Sequence, residues 1–250
     1  MEPKNRIQVP ITGADLFIDG ALYLWERGKL VQGRKLTLAA AKICEESNPP
    51  DDLILSDVYS YHACILHDLG QIDEAGKYFQ KQVIIRRRRL AELGRRATIV
   101  DEIQLANAYN NLAGIYCSFN MFEKSIMNHE FSISLKKRWP KEEISDLLAL
   151  SYSNLANVYG QQGMWEKSEE LFKMALEVYT DPSFMLKRAL TLHNFGNMNV
   201  ARANPKAALP LFEEAFGIRK KALGDHYDTA STLHMMAMCH RHLGDNDSVM

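Results

Sequence analysis

One stretch constrains this chain more than any other, because it occurs twice. LAGIYCSFNMFEKS (112–125) and LANVYGQQGMWEKS (155–168) align without a gap. Each has a small residue, a Tyr three later, a turn-former four beyond that, and then Glu-Lys-Ser. The frame fits six times. Its first small residue falls at Ala21, Ala63, Ala113, Ala156, Gly196 and Ala237, at intervals of 42, 50, 43, 40 and 41 residues. The turn-former seven later is Gly28, Gly70, Asn120, Gly163, Ala203 and Gly244. A second small residue follows five beyond it, at Gly33, Ala75, Ser125, Ser168, Ala208 and Ser248. In four repeats a larger ring comes next, at Phe79, His129, Phe172 and Phe212.

The frame describes two antiparallel helices joined by a tight turn. Small residues let the helices approach closely, and Gly supplies the left-handed turn conformation. The ring fills the space between one pair and the next. A lone hairpin cannot bury its apolar face, so hairpins of this kind stack into a solenoid. No stretch alternates with period two, so no sheet is expected. First helices are predicted at about 12–27, 52–68, 97–118, 141–161, 182–202 and 226–243. Second helices are predicted at about 30–46, 72–94, 121–138, 164–179 and 205–222. SNPPDD (47–52), WPKEE (139–143) and TDPSF (180–184) punctuate them, since Pro suits a helix start and not its interior.

This pattern resembles the tetratricopeptide repeat over nearly all of residues 14–248. The period of about 42 exceeds that family's usual 34 and resembles the kinesin-light-chain type. ALGDHYDTASTLHMMA (222–237) resembles that type's linker, with Asp225 expected as helix N-cap and Tyr227 where the family often has Pro. Leu24, Leu66 and Thr37 depart from the pattern in the first two repeats. The resemblance implies an all-α, right-handed α-solenoid. Residues 1–11 form an N-terminal extension. A single array over 12–250 has units of about 12–46, 52–96, 97–139, 141–180, 182–222 and 226–250, the last incomplete. A solenoid end needs a polar capping helix, and Met235, Met236 and Met238 are expected to lie partly uncovered. Either the array is a fragment of a longer one, or this end self-associates.

The charge balance, formally −1, favours neither nucleic acid nor an acidic membrane. No apolar run reaches the roughly 20 residues of a membrane helix. Cys44, Cys64, Cys117 and Cys239 lie far apart without CxxC spacing, which suits reduced thiols and a cytoplasmic setting. HMMAMCHRH (234–242) gathers His and Cys, but no His pair shares the i, i+4 spacing of a ligand pair. Cys117 and His129 fall on successive helices without an orienting third group or oxyanion donors. Glu142–Glu143 and Glu169–Glu170 read as solvated surface. No G-x-x-x-x-G-K-[ST] loop is present. The chain is therefore expected not to be an enzyme and to hold no metal or cofactor.

KQVIIRRRRLAELGRR (81–96) concentrates positive charge at Arg86, Arg87, Arg88, Arg89, Arg95 and Arg96. It reads as a helix end whose arginines complement the dipole, or as a contact for an acidic or phosphate-bearing partner. Without interleaved aromatics it is a weak nucleic-acid signal.

In the family, first helices line the concave side. Positions two and three before the small residue, and one after it, are expected to face that groove. Asn111, Asn154 and Asn194 then form a row, with Asn157 and Asn197 beside it and Asn110 and His193 at the position before. Each Asn offers two donors and an acceptor, enough to hold the backbone of an extended peptide whatever its sequence. Such an asparagine ladder is a peptide-binding feature of the resembled family. The alternative is that these amides bridge helices inside the stack. The expected function is a protein-interaction scaffold binding a protein or peptide, or else the sensing arm of a larger nucleotide-binding signalling receptor.

Overall fold

The computed structural model describes residues 13–47 and 52–244. The expected extension 1–11, the linker residues 48–51, the side chains of Glu142 and Glu143, and Ser248 lie outside the described residues. The fold is all-α: stacked helix hairpins of an α-solenoid, without a strand among the described residues. The chain divides into two compact units, residues 1–118 and 119–250.

The first unit holds α1 (Gly13–Glu26), α2 (Leu30–Glu46), α3 (Asp52–Asp68), α4 (Ile72–Leu93), a 3₁₀ turn (Gly94–Arg96) and α5 (Ile99–Ser118). The second holds α6 (Phe122–Lys136), α7 (Lys141–Gln161), α8 (Trp165–Val178), a 3₁₀ turn (Pro182–Phe184), α9 (Met185–Ala201), α10 (Pro205–Leu223) and α11 (Tyr227–Leu243). Within each unit every helix packs on the next, and first helices also touch: α1 on α3, α7 on α9, α9 on α11. The predicted boundaries agree with these to within three residues. The differences have local causes. Helix α5 starts at Ile99 because Thr98 and Asp101 form a capping box: Thr98 N donates to Asp101 Oδ2 at 3.0 Å and Asp101 N to Thr98 Oγ1 at 3.4 Å, while Thr98 Oγ1 donates to Asp101 Oδ2 at 2.7 Å. Helix α11 is capped by His226, whose Nδ1 accepts from Asp228 N at 3.2 Å. Asp225, the expected cap, instead pairs with Lys220.

All six predicted turn residues adopt left-handed backbone: Gly28, Gly70, Asn120, Gly163, Ala203 and Gly244 have φ of 69°, 76°, 56°, 73°, 60° and 84°. Past the turn, the next amide reaches back to the carbonyl three after the small residue. Lys29 N bonds Leu24 O, Gln71 N bonds Leu66 O and Asn204 N bonds Asn199 O at 2.8 Å, and Met164 N bonds Tyr159 O at 2.9 Å. This is the closure that satisfies orphan helix carbonyls.

Five of the six first small residues are fully buried, and Ala237 is half-buried. Phe79, Phe172 and Phe212 each sit between their own hairpin and the following one. Phe172 lies with Ala156 and stacks on Phe195 at 5.2 Å, while Phe212 lies with Ala208 and Cys239. Ser168 Oγ donates to Ala156 O at 2.8 Å and ties the two helices of one hairpin together. The approach is closest at Gly196, where an added Cβ would stand 2.6 Å from Phe212 Cε1.

Two substitutions read this geometry out with opposite signs. Gly196→Ala overpacks Phe212 and is expected to cost about 2 kcal/mol in urea unfolding. Ala203→Gly relieves a left-handed Ala and is expected to stabilise by up to about 1 kcal/mol. Equal midpoints for both variants and the parent would contradict the packing described.

Candidate functional site

A helix whose small residue packs inward must turn another stripe outward. Counting from that residue, the positions six and two before, and one and five after, share one face. On α7 they are Leu150, Asn154, Asn157 and Gln161; on α9, Leu190, Asn194, Asn197 and Ala201. All eight are half-buried or exposed. Since α7 packs on α9, the second unit carries a pair of amide-bearing stripes side by side. The stripe of α11 continues with Met235 and Met238, half-buried. Leu150, Leu190 and Gln161 escaped the sequence reading, which stopped at the positions next to the small residue.

The amides differ in what they already hold. Asn154, Asn157 and Asn194 are half-exposed and unpaired among the described residues. Asn197 Oδ1 is buried without a partner. In the first unit Asn111 Nδ2 donates to Ser60 Oγ at 3.4 Å, a bridge between α5 and α3. Asn110 is half-buried and partnered. The stripe around Tyr61 there is acidic, with Asp19, Asp57 and Asp68. Burial, then Asp57, Cys64 and Asp19 together, raise the Tyr61 hydroxyl above its usual range.

The position three before the small residue faces the next repeat and not the open stripe. Ser153 Oγ donates to Thr191 Oγ1 at 3.1 Å, and His193 Nδ1 lies 3.3 Å from Thr232 Oγ1. The His193 ring also meets Phe212 edge-on, with centroids 5.5 Å apart. Both contacts tie first helices together, so Ser153 and His193 belong to the stack.

The arginine run is largely spent within its own unit. Arg86 is buried and bonds Asp57 and Gln104. Arg88 pairs with Asp52 and, at 3.9 Å, with Glu92, and Arg89 Nε pairs with Asp101 at 3.1 Å. Arg87, Arg95 and Arg96 are exposed.

A sequence model of the tetratricopeptide repeat matches residues 104–181 and 187–248, more than half of the chain, and a second matches 57–87. The chain belongs to the tetratricopeptide repeat family. Repeats of this family are protein-interaction scaffolds, and protein or peptide is the class of partner they hold. No curated protein sequence matches the chain. Among solved structures, BtubC (BKLC) from P. vanneervenii is similar, with 18% identity, a TM-score of 0.65, and coverage of 95% of this chain and 87% of that one. A Podosopora anserina kinesin light chain with nearly identical TPR-like repeats has 16% identity, a TM-score of 0.60, and coverage of 83% and 95%. The apo form of the quorum sensor NprR from B. thuringiensis has 13% identity, a TM-score of 0.68, and coverage of 94% and 61%. At these identities the likeness is one of fold.

One feature of the tetratricopeptide frame was not legible in advance. Seven residues past each ring position stands Cys44, Arg86, Lys136, Tyr179 or Arg219, and all five are buried. Each is answered locally. Lys136 Nζ donates to Ser151 Oγ at 2.8 Å, and Arg219 Nη1 to Thr232 Oγ1 at 2.6 Å. Where Ala108 stands in place of those hydroxyls, Arg86 turns to Asp57 and Gln104. Cys44 meets Val58 in an apolar cluster, and Tyr179 donates to Asp146 O at 3.2 Å.

A cavity of about 530 Å³ opens on another side of the second unit, between α6, α7 and α8. Trp139, Ile144, Leu148, Tyr152, Met174 and Val178 line it. One repeat later Arg188 and Glu214 stand where Leu148 and Met174 do, and their 2.6 Å contact bridges α9 to α10. None of the sequence-predicted site residues reaches this cavity. Among the described residues no group of three or more His, Cys, Asp or Glu could hold a metal ion, and no helix is long and apolar enough to cross a membrane.

Burial holds His62, His129 and His193 down at about 4, against an ordinary 6.5, with neighbouring cations adding to it. Between those values the unfolded chain binds protons that the folded chain refuses. The neutral rings therefore favour folding fully above 6.5, and that advantage is lost as pH falls towards 4. The urea midpoint is expected to decline across this window. His129→Phe, the residue three other repeats use, should make the decline shallower; an identical profile for the variant would refute the neutral buried His129.

Proposed function

We propose that this chain holds an extended peptide segment along its first-helix face, with side-chain amides gripping the peptide backbone. The observation that carries this reading is the set of unpaired, half-exposed amides at Asn154, Asn157 and Asn194 on two touching helices. Amides left without a partner in a packed array are ready to exchange water for a peptide N–H or C=O. Exposed Leu150 and Leu190 lie on the same stripes and offer apolar contact to the peptide's side chains. Asn111, taken by itself in the first unit, keeps one amide hydrogen and its oxygen beyond the bond to Ser60.

Extended peptides selected from a random displayed library on the intact protein provide the probe. Each backbone bond contributes about 1 kcal/mol, so Asn154, Asn157 and Asn194 changed together to Ala should weaken a selected peptide by about a hundredfold in calorimetry. Circular dichroism of the variant checks its fold. A folded triple variant that binds as tightly as the parent would show that the amides serve only the stack.

A further inference from the structure

We propose that Thr98 is a phosphorylation site, read by a basophilic serine/threonine kinase through Arg95 and Arg96. Within the basic run, Arg86, Arg88 and Arg89 are committed to Asp57, Asp52 and Asp101. Arg95 and Arg96 are exposed, and no acidic partner holds them among the described residues. They stand three and two residues before Thr98, itself exposed, and the apolar Ile99 and Val100 follow it. A basophilic kinase offers acidic pockets to cations at those two positions and an apolar seat just past the acceptor.

The backbone suits presentation. Gly94–Arg96 is a single 3₁₀ turn closed by Ala97 N to Gly94 O at 3.2 Å, and Ala97 is already extended, with φ −60° and ψ 138°. Presenting Thr98 with its neighbours opens this exposed turn and the Thr98–Asp101 cap at the first turn of α5, an element end of low local stability. In the reaction the Thr98 Oγ1 attacks the γ-phosphorus of ATP. The Oγ1–P bond forms, the bond to the β-phosphate oxygen breaks, ADP leaves, and the hydroxyl proton passes to the kinase's catalytic base.

The modification would act on the joint between α4 and α5. Thr98 now donates to Asp101, and that bond, with help from Arg89, keeps the Asp101 carboxyl below its usual range. A phosphate removes the donated proton and places about two negative charges beside the carboxylate. Arg89, now 3.1 Å from Asp101, then faces two competing anions, of which the phosphate bears the greater charge. The capping box that starts α5 opens.

The intact protein, incubated with ATP and a kinase catalytic subunit that selects arginines two and three before its acceptor, tests this by fragment mass spectrometry. One phosphoryl group at Thr98 is expected. Thr98→Ser should still accept it and Thr98→Ala should not. Arg95→Ala with Arg96→Ala should slow labelling by at least about tenfold, the loss of one or two charge-assisted contacts. The Ser variant keeps the cap hydroxyl, so the test survives if the Ala variant fails to fold. A synthetic peptide covering residues 92–101 runs in parallel. Labelling of the peptide without the protein, labelling of neither, or a rate indifferent to the arginines each overturns the proposal.

Discussion

The close approach of two helices across a residue with little or no side chain underlies the rest of the molecule. Ala63, Ala156 and Gly196 leave room for Phe79, Phe172 and Phe212 to press between consecutive hairpins. That contact fixes the rotation of α3, α7 and α9. Once one residue is pinned inward, the stripe opposite it has no freedom about which side chains it exposes. Left-handed turns then return the chain in the same register each time, even where the turn residue is Asn120 or Ala203. The open face of amides is thus a by-product of packing geometry, filled with residues whose chemistry the packing does not dictate.

Much of this was written in the chain. The helix ends follow from Pro-bearing linkers and turn-formers, and the turn positions follow from the frame, because both depend on local backbone chemistry. The direction of a side chain one step away did not follow. Neighbouring helix positions differ by about 100° in direction, and that difference separates Asn194 on the open stripe from His193 against Thr232. A reading by offset alone cannot resolve it without knowing where the adjacent first helix runs. The same holds for Asn111, whose bond to Ser60 depends on Ala108 lacking a hydroxyl where Thr191 and Thr232 have one.

The arginine run shows a further limit. Four consecutive identical residues give no hint that the first is buried and its neighbours are not. Only the distance from Phe79 marks Arg86, and only the equivalents Lys136, Tyr179 and Arg219 give that distance a meaning. A long cation in a helix reads by default as solvated surface. Here the helix end closes over it, and carboxylate, amide and hydroxyl partners make its burial tolerable.

Those partners also decide whether the repeats are alike to one another. Lys136 meets Ser151, Arg219 meets Thr232, and Cys44 meets Val58. Each junction is a matched pair drawn from two successive repeats. Exchanging repeats so that the second or third follows another would set Lys136 or Arg219 against Val58 or Ala108, or leave Cys44 before a hydroxyl. Homologous in frame, the repeats are keyed to their order. Recombination within this array is therefore confined to changes that carry both halves of a junction together.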